Sequence, residues 1–305
     1  MANRLIILLA LALSACSVDN ASDKSGHFDR MTIVTTTGII ADLAKNIVGD
    51  SADVVALMGP GVDPHLYKAT QGDLQKLTAA DMIVYNGLHL EGKMGEVLEK
   101  LSRIKPVIVI AEGIPPSSRQ TVSDLNSYDP HIWFDVKLWR QAAQHLTNEL
   151  GNHHPGAKAY FTSNFTVYDS TLDALHHWVA ERISVIPDER RVLITAHDAF
   201  GYFGSAYDIE VKGLQGISTL SEYGLRDVTN LVDYIVDRKI KAVFVETSVS
   251  EKAIKAVVQG CQKRGFNVTI GGNLFSDAMG SQGTPEGTYV GMVKSNVNTI
   301  VDALK

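Results

Sequence analysis

From Met31 onward the chain alternates short β-branched runs with longer stretches whose apolar residues recur every three or four positions. Residues 31–35, 53–57, 82–86 and 107–111 read as strands. Residues 38–48 carry Ile39, Ile40, Leu43 and Ile47 at helical spacing, residues 73–80 form a second helix, and residues 136–150 an amphipathic third. Met58-Gly59-Pro60-Gly61 ends the second strand with turn-forming residues. Later in the chain the alternation returns, with strands over 191–195, 241–246 and 267–270 and helices over 228–238, 251–264 and 288–304. Gly271-Gly272-Asn273 reads as the turn out of the last of these strands. The alternation predicts an α/β fold with mainly parallel sheets.

One segment breaks this rhythm. Across residues 155–183, Phe161, Phe165, Tyr168, Leu172, Leu175, Val179 and Ile183 repeat at three- and four-residue steps, and no turn intervenes before Pro187. The spacing predicts a single helix spanning roughly 40 Å at about 1.5 Å per residue. Lying between two α/β halves, it predicts a rigid connector. The expected organisation is an N-terminal lobe over 31–154, a linker helix over 155–186 and a C-terminal lobe over 187–305. The 305 residues less the first 30 leave about 275, more than one domain usually holds. Two such lobes place a ligand at the carboxyl ends of their strands, in the cleft between them.

The amino terminus is set apart from that fold. Arg4 precedes an unbroken apolar run from Leu5 through Leu13, and Leu13-Ser14-Ala15-Cys16 reads as a bacterial lipobox. The run is far shorter than the ~20 residues needed to cross a bilayer, so residues 1–15 read as an export signal. Cleavage would leave Cys16 as a lipid-bearing first residue and residues 16–30 as a polar tether, giving an extracytoplasmic protein anchored to the membrane by lipid. An ordinary secretory signal, with Cys16 incidental, is the alternative. Cys261, the only other cysteine, then has no disulfide partner and reads as helix-face packing. A formal charge of −6 and the lack of a basic stripe with interleaved aromatics argue against nucleic acid. A monomer is expected.

Candidate chemistry lies where strand-like runs give way to turns. His65, His131, His197 and Asp277 are separated by 66, 66 and 80 residues, and two of them stand in Asp-Pro-His triplets. Gathered at one point, three imidazoles and a carboxylate suit a borderline divalent cation such as zinc, and tolerate manganese or iron. Asp63, Asp129 and Asp198 adjoin the histidines and could orient the imidazoles, although turn chemistry explains an Asp-Pro pair equally well. Glu246, ending a strand, reads either as another supporting group or as half of an ion pair. Of the other histidines, His27, His145, His153, His154, His176 and His177 read as solvated. His89 reads as packed or hydrogen-bonded structure. A zinc hydrolase with Glu246 as base is the rival reading, but no His-Glu-x-x-His helix is present and a fourth protein ligand would close the site.

These residues lie in longer stretches that carry a resemblance. Gly61-Val62-Asp63-Pro64-His65, Asp129-Pro130-His131-Ile132-Trp133, Thr195-Ala196-His197-Asp198-Ala199-Phe200, residues 213–219 and Ser276-Asp277-Ala278-Met279-Gly280 resemble the TroA-type family of metal-binding lipoproteins. These are solute-binding proteins that serve zinc and manganese ABC transporters. The resemblance implies two lobes joined by one long helix and a divalent cargo, Zn²⁺ or Mn²⁺ with Fe²⁺ as a further candidate, held between them by His65, His131, His197 and Asp277. It also implies an ABC permease as partner and no enzymatic activity, and it admits a surface-adhesion role. Manganese-selective members of the family tend to carry glutamate where this chain has His197. Zinc-specific members often add a His-rich insertion before the second histidine, which residues 115–129 lack.

Overall fold

The molecule, a computed structural model, is described over residues 30–122 and 127–305. The segments expected to be an export signal (1–15) and a tether (16–30), with Cys16 and His27, lie outside the described residues up to residue 29. The elements in chain order are β1 (Met31–Thr35), α1 (Gly38–Val48), β2 (Ala52–Ala56), α2 (Gln71–Ala79), β3 (Met82–Tyr85), α3 (Gly95–Ser102), β4 (Val107–Val109), β5 (Thr121–Val122), β6 (Ser127–Tyr128) and α4 (Val136–His153). There follow α5 (Lys158–Ser184), β7 (Val192–His197), α6 (Gly201–Tyr207), β8 (Glu210–Gln215), α7 (Leu225–Asp237), β9 (Ala242–Glu246), α8 (Lys252–Lys263), β10 (Thr269–Leu274) and α9 (Tyr289–Leu304).

Strands β2-β1-β3-β4 form one all-parallel sheet. In the second half β7 pairs with β8 and β9 with β10, both parallel, and β7 lies against β9. Alternation along each strand sorts side chains between two layers. Ile33 of β1, Leu193 of β7 and Phe244 of β9 face a single apolar core that also takes in α1, α4, α5 and α9. Val34 on the reverse face packs with α2 and α3, while Ile194, Val243 and Val245 pack with α7 and α8. The central core therefore runs uninterrupted between the two sheets, and each sheet has a smaller core of its own behind it.

Helix α5 is the spine of that shared core. Phe161, Tyr168, Leu172, Leu175, Val179 and Ile183 are buried along one face, and the helix packs on α1, α4 and α9. At roughly 1.5–3 kcal/mol per buried large apolar side chain, this stripe outweighs the partly exposed ion pair of Arg140 with Asp169, whose Nε···Oδ1 distance is 2.7 Å. The predicted helix from 155 opens instead as a 3₁₀ turn at Pro155–Ala157 and becomes α-helical at Lys158. Proline at the start of that turn needs no donor of its own.

Three further sequence expectations change. Helix α2 begins at Gln71 because Thr70 and Asp73 form a reciprocal capping box. Helices α3 and α6 and strand β8 were not foreseen; the two helices are short and β8 is interrupted by Gly213. Gly271-Gly272, expected as a turn, lies inside β10, whose register against β9 slips between Ile270 and Gly272. The glycines serve packing. A Cβ at Gly271 would sit 2.7 Å from Ala303 Cβ and 2.9 Å from the Phe244 ring, so α9 closes directly onto backbone. Gly271→Ala should destabilise the protein by about 1–3 kcal/mol, read as a lower urea midpoint.

Candidate metal centre

The carboxyl ends of strands from both sheets converge on one buried point. His65 lies in the loop after β2, His131 just before the 3₁₀ turn Ile132–Phe134, His197 is the last residue of β7, and Asp277 follows β10. All four are at most 1% exposed. One nitrogen or carboxylate oxygen from each lies within 4.8 Å of the other three. His65 Nε2 and His131 Nε2 are 3.3 Å apart. His131 Nε2 lies 3.4 Å from Asp277 Oδ1, while His197 Nε2 and His65 Nε2 lie 3.4 Å and 3.8 Å from Oδ2. These approaches are too long or too poorly aimed to be good hydrogen bonds, so both Asp277 oxygens and His197 Nε2 are buried without a partner among the described residues.

Carboxylates behind the rings fix two of the imidazoles. Asp129 Oδ1 accepts from His131 N at 2.9 Å and contacts its Nδ1 at 2.7 Å. Glu246 Oε1 accepts from His197 N at 2.8 Å, and Oε2 lies 2.5 Å from His197 Nδ1 at an angle too oblique for a hydrogen bond. Asp63 acts on main chain instead, with Oδ1 accepting from His65 N at 2.8 Å. Asp198, considered for the same task, hydrogen-bonds no imidazole among the described residues; Glu246, which reaches across from β9, supports His197 in its place. Trp133 Nε1 donates to Ser276 O at 3.1 Å and Tyr289 Oη donates to Trp133 O at 2.7 Å, tying the residues after His131 to those around Asp277. Neither Trp133 nor Tyr289 was singled out in the sequence, where an aromatic residue reads first as core.

The electrostatics follow from these contacts. Burial pulls His131 down, but Asp129 and Asp277 outweigh it and hold the imidazole up at about 9. His197 is likewise pushed down by burial and, more strongly, raised by Glu246 and Asp277. Burial disfavours the Asp277 charge, yet His197 and His131 keep its carboxyl well below the usual range. His65 is lowered to about 3, chiefly by burial; Asp277 opposes that shift, and no carboxylate among the described residues contacts its Nδ1. In the metal-free cluster these contacts favour the protonated form of His131 and His197 and the neutral form of His65.

Two of the remaining histidines depart from expectation. His176 is buried, its Nδ1 3.2 Å from Tyr207 Oη, because it falls on the core face of α5. His89 is exposed in a turn at φ 65°, neither packed nor bonded to a described side chain. Cys261 is buried on α8, as its apolar neighbours suggested.

Comparison with known proteins places this geometry. The model of the family described as zinc-uptake complex component A, periplasmic, matches residues 33–303. The chain belongs to that family. It is 48% identical to the manganese-binding lipoprotein MntA of Bacillus subtilis, over 98% of this chain and 97% of that one. It is 51% identical to the zinc-binding protein TroA of Treponema pallidum, over 89% and 88%. A solved structure of the periplasmic zinc-binding TroA superposes with a TM-score of 0.88, covering 90% of this chain and 99% of that chain. The fold class is accordingly that of TroA, α/β with mainly parallel sheets and a long helix, and the family is one of metal-binding ABC-transporter substrate-binding proteins. Among the described residues no helix is long and apolar enough to cross a membrane.

Removing the charge behind His131 checks the electrostatic account. In Asp129→Asn, with metal absent, the His131 pKa should fall from about 9 by one unit or more in an NMR pH titration, while His65 stays neutral throughout the neutral range.

Proposed function

We propose that this protein captures a divalent transition metal outside the cytoplasm on His65, His131, His197 and Asp277 and delivers it to an ABC permease. The observation that carries the reading is the convergence of four buried donors, with both Asp277 oxygens lacking a hydrogen-bond partner among the described residues. A tetrahedron built on bonds of about 2.05 Å has edges of about 3.3 Å; with Asp277 Oδ2 as the carboxylate corner, the His65–His131, His197–Asp277 and His65–Asp277 separations are 3.3, 3.4 and 3.8 Å. Charge agrees with shape. Contacts with Asp129, Glu246 and Asp277 favour a proton on each of His131 and His197 when no ion is bound. A divalent cation replaces those two protons with no change in total charge.

The two relatives named above are described as binding manganese and zinc respectively, so likeness alone does not select the cargo. Three imidazoles and one carboxylate favour zinc by geometry, and the Irving–Williams order favours it over manganese in affinity. Zinc is therefore the tighter ligand in solution, with manganese also accepted. The hydrolase reading fares worse. Four protein donors leave no position for an activated water, and Glu246 is already engaged by the backbone and ring of His197.

In this reading residues 31–154 and 187–305 act as lobes joined by 155–186, and lipid on Cys16 with the tether over 16–30 keeps a monomer at the membrane. The lobes move little. The core that runs between the sheets around α5 opposes a wide hinge.

Calorimetric titration of metal-stripped protein with Zn²⁺, in buffers of differing ionisation enthalpy, tests the assignment. About one equivalent should bind near pH 7.5 with release of about two protons, and affinity should rise with pH up to about 9. The unperturbed histidine value near 6.5 would have set the onset lower; the carboxylates behind His131 and His197 move it. His131→Ala or Asp277→Ala should cost about a hundredfold or more in affinity, while His89→Ala leaves it unchanged. Wild-type affinity in either ligand variant would refute the site.

A further inference from the structure

The two sides of the metal cleft are closed in different ways. On the His131 side, Trp133 bonds to Ser276, Tyr289 bonds to Trp133, and Tyr202 Oη donates to Asp129 O at 3.1 Å. On the His65 side, one hydrogen bond joins residues 57–70 to anything from residue 187 onward, among the described residues. Thr219 Oγ1 donates to Asp63 Oδ2 at 2.6 Å. The other oxygen of the same carboxylate accepts from His65 N. Asp63 therefore bridges a strap from the second half to the backbone of a metal-site histidine in the first.

The strap is residues 216–224, between β8 and α7. Among the described residues its one internal backbone hydrogen bond is Ser221 N to Ser218 O, and its last residue, Gly224, accepts from Asp227 N and Val228 N at the start of α7. Its shape is held from beneath by Gln215, whose Nε2 donates to Thr219 O and Ser221 O, each at 2.6 Å. Gln215 stands opposite His197 in the β7–β8 ladder, so the strap is rooted beside a second metal-site residue. Thr219 is only 9% exposed, whereas Leu220 and Tyr223 beside it are 44% and 38% exposed. A segment with so few backbone bonds opens at little free-energy cost unless a side chain pins it.

Resting on the metal-binding reading above, we infer that the Thr219–Asp63 hydrogen bond is a latch that sets how long the ion is retained. Thr219 touches no donor atom of the cluster; it is a positioning residue acting through Asp63 on His65. With the latch made, the strap lies across the His65 side of the cleft and His65 N stays fixed. With it broken, the strap lifts, the Asp63 carboxylate turns free, and His65 can withdraw from the ion while the His131 side stays closed. The latch thus bears on release. Capture proceeds from the open strap and does not need it.

The test separates those two rates. Zn²⁺-loaded protein is mixed with excess chelator to read dissociation, and stripped protein with Zn²⁺ to read association, by stopped flow. Thr219→Val keeps the side-chain volume and removes the donor. Dissociation should accelerate about tenfold, the worth of one hydrogen bond to a charged acceptor, with association changed less than about twofold. Thr219→Ser, which restores the hydroxyl, should return the wild-type dissociation rate. Combining Thr219→Val with Asp63→Ala should dissociate no faster than Asp63→Ala alone, because both remove the same bond. Unchanged dissociation in Thr219→Val, a serine variant as fast as the valine one, or full additivity in the double variant would overturn the latch. Wild-type protein that fails to hold Zn²⁺ at all would instead overturn the metal site itself.

Discussion

A carboxylate buried with both oxygens unpartnered among the described residues governs the rest of this molecule. Asp277 is 1% exposed, and taking an isolated carboxylate out of water costs several kcal/mol even after relaxation. The fold does not let it neutralise. Two imidazoles face it, and each is backed by a further carboxylate, so Asp277 stays ionised and the protons sit on His131 and His197. A cluster of three carboxylates and two imidazoliums can be stable empty, yet its innermost oxygens still lack good bonds. That remaining dissatisfaction is what an incoming cation would relieve.

Holding such a cluster requires parts of the chain far apart in sequence to meet within a few tenths of an ångström. The core shared by both sheets supplies the stiffness. Side chains from β1, β7 and β9 and a full face of α5 enter one packed volume, and Trp133 and Tyr289 extend it to the edge of the site. Close packing transmits displacement poorly by bending, so motion is directed to segments outside the core. The strap over 216–224 lies outside the central core and is tied to the His65 loop by the single Thr219–Asp63 hydrogen bond among the described residues.

Much of this was legible in the sequence because it repeats with a period. The stripe from Phe161 to Ile183 announced α5, and β-branched runs announced the sheets. The four converging residues were readable from turn position and from the family resemblance. What escaped was set by partners distant along the chain. Gly271-Gly272 reads locally as a turn and becomes strand because α9 must lie against it. Asp198 sits beside His197 in sequence and was a natural candidate to support its ring, but successive residues at a strand end point apart, and Glu246 arrives from the neighbouring strand. His176 was expected to be solvated on a helix face, but it falls on the buried face of α5 while His177, one step around the helix, is exposed. Thr219 gave no local signal, since its role is defined wholly by Asp63, 156 residues away.

The asymmetry among the three histidines follows from the same geometry. His131 and His197 have a carboxylate near each end of the ring, hydrogen-bonded to Nδ1 in His131 and 2.5 Å from Nδ1 in His197. His65 has nothing behind its ring, its Nδ1 being buried without a partner, and is anchored only through its backbone to Asp63. An imidazole fixed on both sides presents a rigid donor but cannot move away. One fixed by main chain alone can leave without stranding a charge, since burial already keeps it neutral. Release of an ion bound by four donors is easiest if a neutral ligand departs first, because removing Asp277 or an imidazole backed by a carboxylate would expose an uncompensated charge. Of the four, His65 is the residue whose withdrawal costs least, and it is the one joined through Asp63 to the strap over 216–224.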